Sequence, residues 1–496
     1  MEKQYTALIV GAGPVGLVTA HLLEKFNIKS LVIDKKHTAY TYPRAIGIDD
    51  ETLRILRNVC LEDEEIKNLC NKPKIEYFTP SGYKQFIPNE TYRPFEYPIL
   101  STFYQPELEK ILRGKLYASK FVTFISSCEI LNFIKKDDYY LINVFYLGKV
   151  VQIKANYILG CDGAKSSVRR LCGIQFEELG TGEDWVVIDL YDSQKIRDNI
   201  KNIAKNGIYK FPCVTINFPP KMRRFEVKIP TAINFVDKNS DNLIQLLLED
   251  FIKDENPHII RSRIYKRNFC LAENLSVDNV YLLGDAAHLI PPYGGQGMCS
   301  GIRDSYNLCW KLASVIQKKS SPKLLATYND ERSAAIKETM QFIHNLTKDI
   351  AETKDSEPIN CHYYRKIKPL PRALASMNSG VFSSGSWLPS IFISKNNEIN
   401  RLDDLLIGKW SILFNKDHFV KFKSFLLQSS INLNSIDIDL STISNLENLV
   451  NQSLYEHNVV SLIKSGLALI IRPDLFIFRV IEHENELSLD NNIYYG

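Results

Sequence analysis

The chain has 496 residues, a formal net charge of +4, 45% hydrophobic and 24% charged residues. That balance is ordinary for a globular protein of several domains, too weakly basic to imply nucleic acid or an anionic membrane surface, and without an apolar run long enough to span a bilayer. The ten cysteines show no CxxC or zinc-ligand spacing, so no metal site is expected and reduced thiols in a cytoplasmic protein are the reading.

In chain order, Ala7-Leu-Ile-Val10 reads as a strand buried on both faces, so close to the start that a secretion leader is not expected. Within the following Gly11-Ala-Gly-Pro-Val-Gly16, Gly11 permits the turn, Gly13 lets the backbone approach a pyrophosphate and Gly16 lets the next helix pack closely. Pro14 suits the first turn of that helix, whose positive end faces the phosphates. Ser30-Leu-Val-Ile-Asp34 is a second buried strand, with its acid about 20 residues beyond the glycines, where a ribose is held. This order predicts a dinucleotide site and leaves NAD and FAD undecided. Asp49, Asp50 and Glu51 read as an acidic helix start. Residues 75–88 read as a hairpin about Ser81-Gly82. Trp185-Val-Val-Ile-Asp-Leu, Cys213-Val-Thr-Ile-Asn-Phe and Arg224-Phe-Glu-Val-Lys-Ile read as strands of an antiparallel sheet, the floor of a substrate pocket.

Farther on, Asn279-Val-Tyr-Leu-Leu-Gly-Asp-Ala-Ala-His288 is a strand that breaks at Gly284-Asp285. Pro291-Pro-Tyr-Gly-Gly-Gln-Gly-Met298 then opens another helix. The aspartate can accept from a polyol, and the glycine turn aims N–H groups at an electron-rich edge. Two such sites far apart in sequence imply one long ligand held at both ends. FAD meets that description, with adenosine at the first site and ribityl plus isoalloxazine at the second. A helix is expected over 324–352 and a Pro- and Ser-rich connection over 358–389. A small α/β module follows, with apolar runs at 410–414, 436–440 and 467–471 before Arg472-Pro-Asp474.

Together with Gly160-Cys-Asp-Gly163, these motifs resemble those of the class A FAD-dependent aromatic hydroxylases, the p-hydroxybenzoate hydroxylase fold. Tyr42 to Glu51 and Arg223 to Val227 are most similar to the 3-(3-hydroxyphenyl)propionate hydroxylase branch. The resemblance implies an α/β chain. A Rossmann-like FAD-binding domain (1–175 and 272–357, with 75–100 given to the substrate sheet) is interleaved with an antiparallel-sheet substrate domain (176–271). The connection 358–389 leads to a thioredoxin-like C-terminal module (390–496) that lacks CxxC. It implies noncovalent FAD, NADH or NADPH as a transient reductant, and O2-dependent hydroxylation of a phenolic or polyketide-like aromatic substrate through a flavin C4a-hydroperoxide. Epoxidation, Baeyer–Villiger insertion, antibiotic modification or a non-catalytic flavin-binding role are the alternatives on this fold. A homodimer is an open expectation.

The same resemblance carries roles to residues. Gly11, Gly13, Pro14 and Gly16 lie at the pyrophosphate and Asp34 at the ribose; Lys35, read apart from the resemblance, either touches the adenosine or is a solvated strand end. Arg44 approaches the phosphates, Gln105 reaches the FAD chain, and Asp162 serves FAD and the pyridine nucleotide. Gly284 and Asp285 hold the ribityl chain; Pro292, Gly295, Gly297 and Met298 face the flavin. Arg223, Arg224 and Tyr293 are the substrate candidates, the arginines either as a carboxylate fork or as the solvated side of a strand. No catalytic base stands out. Cys299 replaces the family's usual Asn and reads as a buried filler rather than a reactive thiol. His288 reads as structural.

Overall fold

The computed structural model describes residues 4–79, 82–87, 93, 95–191, 212–229, 248, 258–352, 359–360, 387–395, 398–415, 434–438 and 467–481. Strand β1 (Gln4–Val10) turns into helix α1 (Pro14–Lys25), and the chain returns as β2 (Ser30–Asp34), with the bounds the apolar run predicts. β3 (Gly47–Asp49) leads into α2 (Asp50–Val59), whose first turn is capped by the Asp49 carboxylate accepting from Thr52 N–H at 2.9 Å. There follow β4 (Ile75–Thr79), α3 (Gln105–Leu116), β5 (Val122–Ser126) and β6 (Lys149–Gly160). Next come β7 (Phe176–Tyr191), β8 (Cys213–Phe218), β9 (Met222–Lys228), β10 (Ile259–Ala272) and β11 (Val280–Leu282). The helices α4 (Gln296–Ile316) and α5 (Lys323–Glu352) close this part of the chain.

Two large sheets organise these elements. In the first, β11, β6, β1, β2 and β5 lie side by side and parallel, with β1 at the centre. Its neighbours β2 and β6 lie on opposite sides, so the carboxyl end of β1 opens a crevice where the strand order reverses. Burial of both faces explains why β1, β2 and β11 read as apolar runs. A hairpin, Cys128–Lys135 with Tyr140–Tyr146, extends β6 antiparallel; the sequence reading did not foresee it.

The second sheet runs β10, β7, β9, β8, β4, all antiparallel, with Gly82–Ile87 beyond β4 as the expected hairpin partner. Its register decides the chemistry of each face. Ile75, Tyr77, Val214, Ile216, Arg224 and Glu226 share one face; Glu76, Thr215, Arg223 and Phe225 share the other.

At the C-terminal end, Ser411–Asn415 pairs in parallel with Asn434–Ile438 and antiparallel with Ala468–Ile471, which pairs with Ile477–Ile481. Three of these strands lie within two residues of the apolar runs expected there. Buried charge fastens the segment to the helices. Arg54 of α2 forks onto Asp403 at 2.6 Å on each side. Arg472 forks onto Glu331 of α5 at 2.9 and 3.0 Å and onto Asp474 at 2.9 and 2.8 Å. Lys311 of α4 donates to the same Glu331 and to Asn307, each at 2.9 Å. Trp387 stacks on Phe476 with the ring planes 6° apart. The connection expected at 358–389 lies outside the described residues except at 359–360 and 387–389. Among the described residues, no helix is long and apolar enough to cross a membrane.

Candidate cofactor and substrate site

A cavity of about 260 Å3 lies between the carboxyl ends of the first sheet and one face of the second. Two helices begin on it. Gly13, Pro14 and Val15 at the start of α1, and Gly297 and Met298 at the start of α4, line its wall. Neither start is capped by a side chain, and neither has an acid in its first turn. Both positive ends are therefore left for an electron-rich ligand. A Cβ added to Gly13 would meet nothing within 4 Å, so the backbone there has open space in front of it.

Two close approaches build these starts. A Cβ on Gly16 would sit 1.9 Å from the Gly11 carbonyl oxygen, so only glycine lets α1 rise directly from its turn. Gly295 has φ +70°, and a Cβ there would meet the Gly47 carbonyl oxygen at 2.8 Å. The second glycine loop thus presses on β3, where Asp49 anchors it: Gln296 donates to that carboxylate at 3.0 Å and Arg303 at 3.0 and 3.1 Å. Thr19 and Ser305 hydroxyls meet at 2.8 Å and join α1 to α4.

The residues expected at the first site fall around the glycine turn. Asp34 accepts from Ala12 N–H and Lys36 N–H at 2.8 Å each, closing the turn from β2, while Lys35 is exposed. Arg44 lines the cavity, its guanidinium 4.6 Å from the Tyr40 ring centre. Gln105 lines it too, but its carbonyl accepts from Arg44 N–H (3.2 Å) and Ala45 N–H (2.7 Å), and its amide donates to Glu109 (2.7 Å). It shapes the 44–45 backbone. Asp162 caps the short helix Ser167–Leu171, accepting from Ser167 and Val168 N–H at 2.6 and 3.1 Å; its neighbours Cys161 and Gly163 line the cavity.

At the second site, Gly284 N–H donates to Asp304 at 3.0 Å, and Asp304 also holds His288 Nε2 at 2.7 Å and Arg332 Nε at 2.6 Å. Burial works to raise the Asp304 carboxyl, yet His288, Arg332 and the Gly284 N–H together hold it below its ordinary value. His288 is fully buried in this cluster and is not a cavity-lining residue, in keeping with a structural role. Asp285, next along the chain, lines the cavity and has no hydrogen-bond donor among the described residues. Its side chain is exposed to the cavity, yet the surrounding protein still pushes its carboxyl up by desolvation, against the pull of His288 and Arg44. An unpaired carboxylate beside two uncapped helix starts fits a ligand with hydroxyl donors and electron-rich edges.

The substrate candidates are revised. Arg223 lies on the face away from the cavity, donating to Thr215 at 2.8 Å with Glu76 at 3.5 Å. Arg224 does line the cavity, but its fork closes on Asp189 at 2.7 and 2.9 Å and its ends donate to the carbonyls of Pro43 and Arg44 at 2.7 Å each. It is neither a vacant carboxylate fork nor a solvated side chain. The signal was present: an aspartate inside Val-Val-Ile-Asp-Leu demands a buried partner, and Arg224 stands opposite it in register. The Tyr293 side chain lies outside the described residues. Cys299 is buried off the cavity wall, and burial pushes its thiol up to about 12, so it is an inert filler. Glu226, which the sequence reading passed over, lines the cavity and accepts from Tyr265 OH at 3.1 Å. Strand alternation from Arg224 would have found it.

A parallel α/β sheet whose glycine turns start two helices on one cavity defines a dinucleotide-cofactor protein. Residues 4–343, more than half of the chain, match the family described as FAD binding domain, and the chain belongs to that family; its cofactor is FAD. The chain is similar to the 3-(3-hydroxy-phenyl)propionate/3-hydroxycinnamic acid hydroxylase of Escherichia coli (strain K12), 34% identical over 326 residues. That match covers 65% of this chain and 58% of the relative's length. Among solved structures, the flavin-dependent monooxygenase PieE in complex with FAD and substrate superposes with TM-score 0.76 at 17% identity, over 98% of this chain and 97% of that one. A ternary complex of aklavinone-11 hydroxylase with FAD and aklavinone gives TM-score 0.76 at 20% identity, over 97% and 96%. At these identities the likeness shows a shared mixed α/β fold.

Proposed function

We propose that the chain is an FAD-dependent monooxygenase that uses NADH or NADPH and O2 to hydroxylate a phenolic ring. One observation carries this reading: a single cavity joins both helix starts and Asp285 to a largely apolar sheet wall of Ile75, Tyr77, Val214 and Ile216. The hydroxylase named above, with its hydroxyphenyl substrate, supports the choice of a phenol.

In this reading the Gly11 to Gly16 turn and α1 hold the pyrophosphate, Asp34 the ribose and Asp285 the ribityl hydroxyls. The amides of Gly297 and Met298 meet the flavin edge. FAD, when bound, carries electrons from the nicotinamide to O2 and delivers one oxygen atom to the ring. The chain does the rest. The start of α4 stabilises negative charge by its partial positive end, the apolar wall keeps water from the reacting ring, and the Arg224–Asp189 pair fixes the turn that carries Arg44. Residues 1–175 and 272–357 form the Rossmann-like cofactor domain, with 75–100 joined to a substrate sheet of 176–271. Residues 390–496 form a thioredoxin-like module that, without CxxC, serves architecture.

The test is to load purified protein with FAD, record its visible spectrum, and follow NADH and NADPH oxidation with a panel of phenols. Faster oxidation with at least one phenol, accompanied by a hydroxylated product, is the expected outcome. Indifference to every phenol overturns the substrate class, and a protein that takes up no FAD overturns the oxygenase reading itself.

A further inference from the structure

We infer that Glu109 is a positioning residue for the cofactor: it joins Gln105 and Arg113 into one polar stripe along α3 that fixes the Arg44 backbone and the Gly11 to Gly16 turn relative to each other; this rests on the pyrophosphate placement proposed above. Residues 105, 109 and 113 recur every four positions, so they share one face of α3 over about 12 Å of its axis. Leu108, Leu112 and Leu116 are buried and seat the helix in the core. At one end the Gln105 carbonyl holds two backbone N–H groups, those of Arg44 at 3.2 Å and Ala45 at 2.7 Å. At the other, Arg113 Nη2 donates to the Ala12 carbonyl at 2.5 Å. Glu109 stands between them: its Oε1 accepts from the Gln105 amide at 2.7 Å, and its Oε2 lies 3.9 Å from Arg113 Nη2. It is 3% exposed and is not a cavity-lining residue, so it acts on a ligand only through these neighbours.

Each link has a chemical reason. A carboxylate can only accept, so Glu109 obliges Gln105 to present its amide nitrogen along the helix and its carbonyl to the Arg44 and Ala45 N–H groups. A neutral amide in place of the carboxylate accepts or donates and removes that constraint. At the far end, the trans peptide sends the Ala12 carbonyl and the Gly13 N–H in opposite directions. Arg113 on the carbonyl therefore turns that N–H away from α3, at a residue that lines the cavity. Asp34 grips the same alanine by its N–H at 2.8 Å. Without Glu109 the Arg113 cation loses its carboxylate on this helix and the Gln105 amide loses its orientation, so both backbone segments loosen together. The stripe contains no residue of α4 or of the loop that carries Asp285.

The full chain is titrated with FAD, its affinity is read by quenching of flavin fluorescence, and the visible spectrum is recorded at saturation. Glu109→Leu is expected to weaken FAD roughly 10-fold or more, the range of a hydrogen bond to a charged group, while the spectrum of the bound flavin stays as in wild type. Glu109→Gln keeps the shape and one acceptor, so it should weaken FAD roughly a few-fold and serves if the leucine variant does not fold. Arg113→Leu acts through the same peptide, so combining it with Glu109→Leu should weaken FAD no more than the stronger single change does. A general loosening of the fold would instead move the flavin spectrum along with the affinity. Unchanged FAD affinity in the Glu109 variants, a shifted bound-flavin spectrum, or losses that add in the double variant overturn the assignment. Gly13→Val separates the two failures: at φ −78° a side chain there has open space, and it would fill the place proposed for the pyrophosphate. FAD held by Gly13→Val as tightly as by wild type removes the pyrophosphate placement, whereas weakened binding there beside unchanged binding in Glu109→Leu removes Glu109 alone.

Discussion

The two ends of α4 are built on opposite plans. Its start faces the cavity with no cap, no acid in the first turn, and beside it Asp285 without a donor. Farther along, Asn307 and Lys311 enter a closed set of charges with Glu331, Arg472 and Asp474, every oxygen of Glu331 matched by a cation. Asp285 is exposed to the cavity and keeps its carboxylate without a protein donor, whereas the fully buried Glu331 has to be matched by cations of the protein itself. The contrast separates ligand-facing polarity from architectural polarity on one helix.

The sharpest way to break this comparison is at Glu331. Glu331→Gln leaves Lys311 and Arg472 buried beside a neutral amide, and a loss of about 3–5 kcal/mol of stability is expected by denaturant unfolding. Acid should act at the same point. Burial favours the protonated form of Glu331, but Arg472 and Lys311 outweigh it and hold the carboxyl well below its ordinary 4.5. A carboxyl depressed by folding stabilises fully above its unfolded value and loses that contribution as pH falls toward its folded one. Trp310, 5.2 Å from the Arg472 guanidinium, should report this as a fluorescence change below pH 4.5, distinct from any change near pH 8, where burial lets Lys311 beside the same ring lose its proton.

A smaller effect belongs to the open end. Asp285→Ala should weaken FAD binding by roughly 10- to 100-fold, measured by quenching of flavin fluorescence. The FAD-free protein should melt no lower than wild type, because the removed carboxyl is one that folding raises. Unchanged FAD affinity would remove Asp285 from the ribityl position. Least of all is expected at Cys299: its thiol should resist alkylation in the native protein at neutral pH, and Cys299→Ala should leave the bound-flavin spectrum in place. Rapid labelling there would show that the filler description is mistaken.

What the sequence made legible was local. β1, the glycine turn, α1 and β2 announce themselves because each depends on residues within a few turns of one another. The break at Gly284-Asp285 and the loop through Gly297 are legible for the same reason. Pairings at a distance were not. The Cys128–Lys135 hairpin is a largely exposed, mixed run with weak alternation, and nothing local marks Arg472 as the partner of Glu331, 141 residues away. Arg224 is the instructive miss: two local readings were weighed, and the answer lay in strand register, which pairs it with Asp189.

The site's parentage along the chain has a consequence for biosynthesis. Its wall draws on Gly13, Arg44, Gln105, Val214, Arg224, Asp285 and Met298, so a nascent chain that has exposed only its first strands owns the phosphate turn but no enclosure. Contacts of such long sequence separation form late. In the proposed placement the nucleotide is gripped at both ends only after the ribosome has released residues near 300, which would make cofactor capture a closing event of maturation rather than its seed.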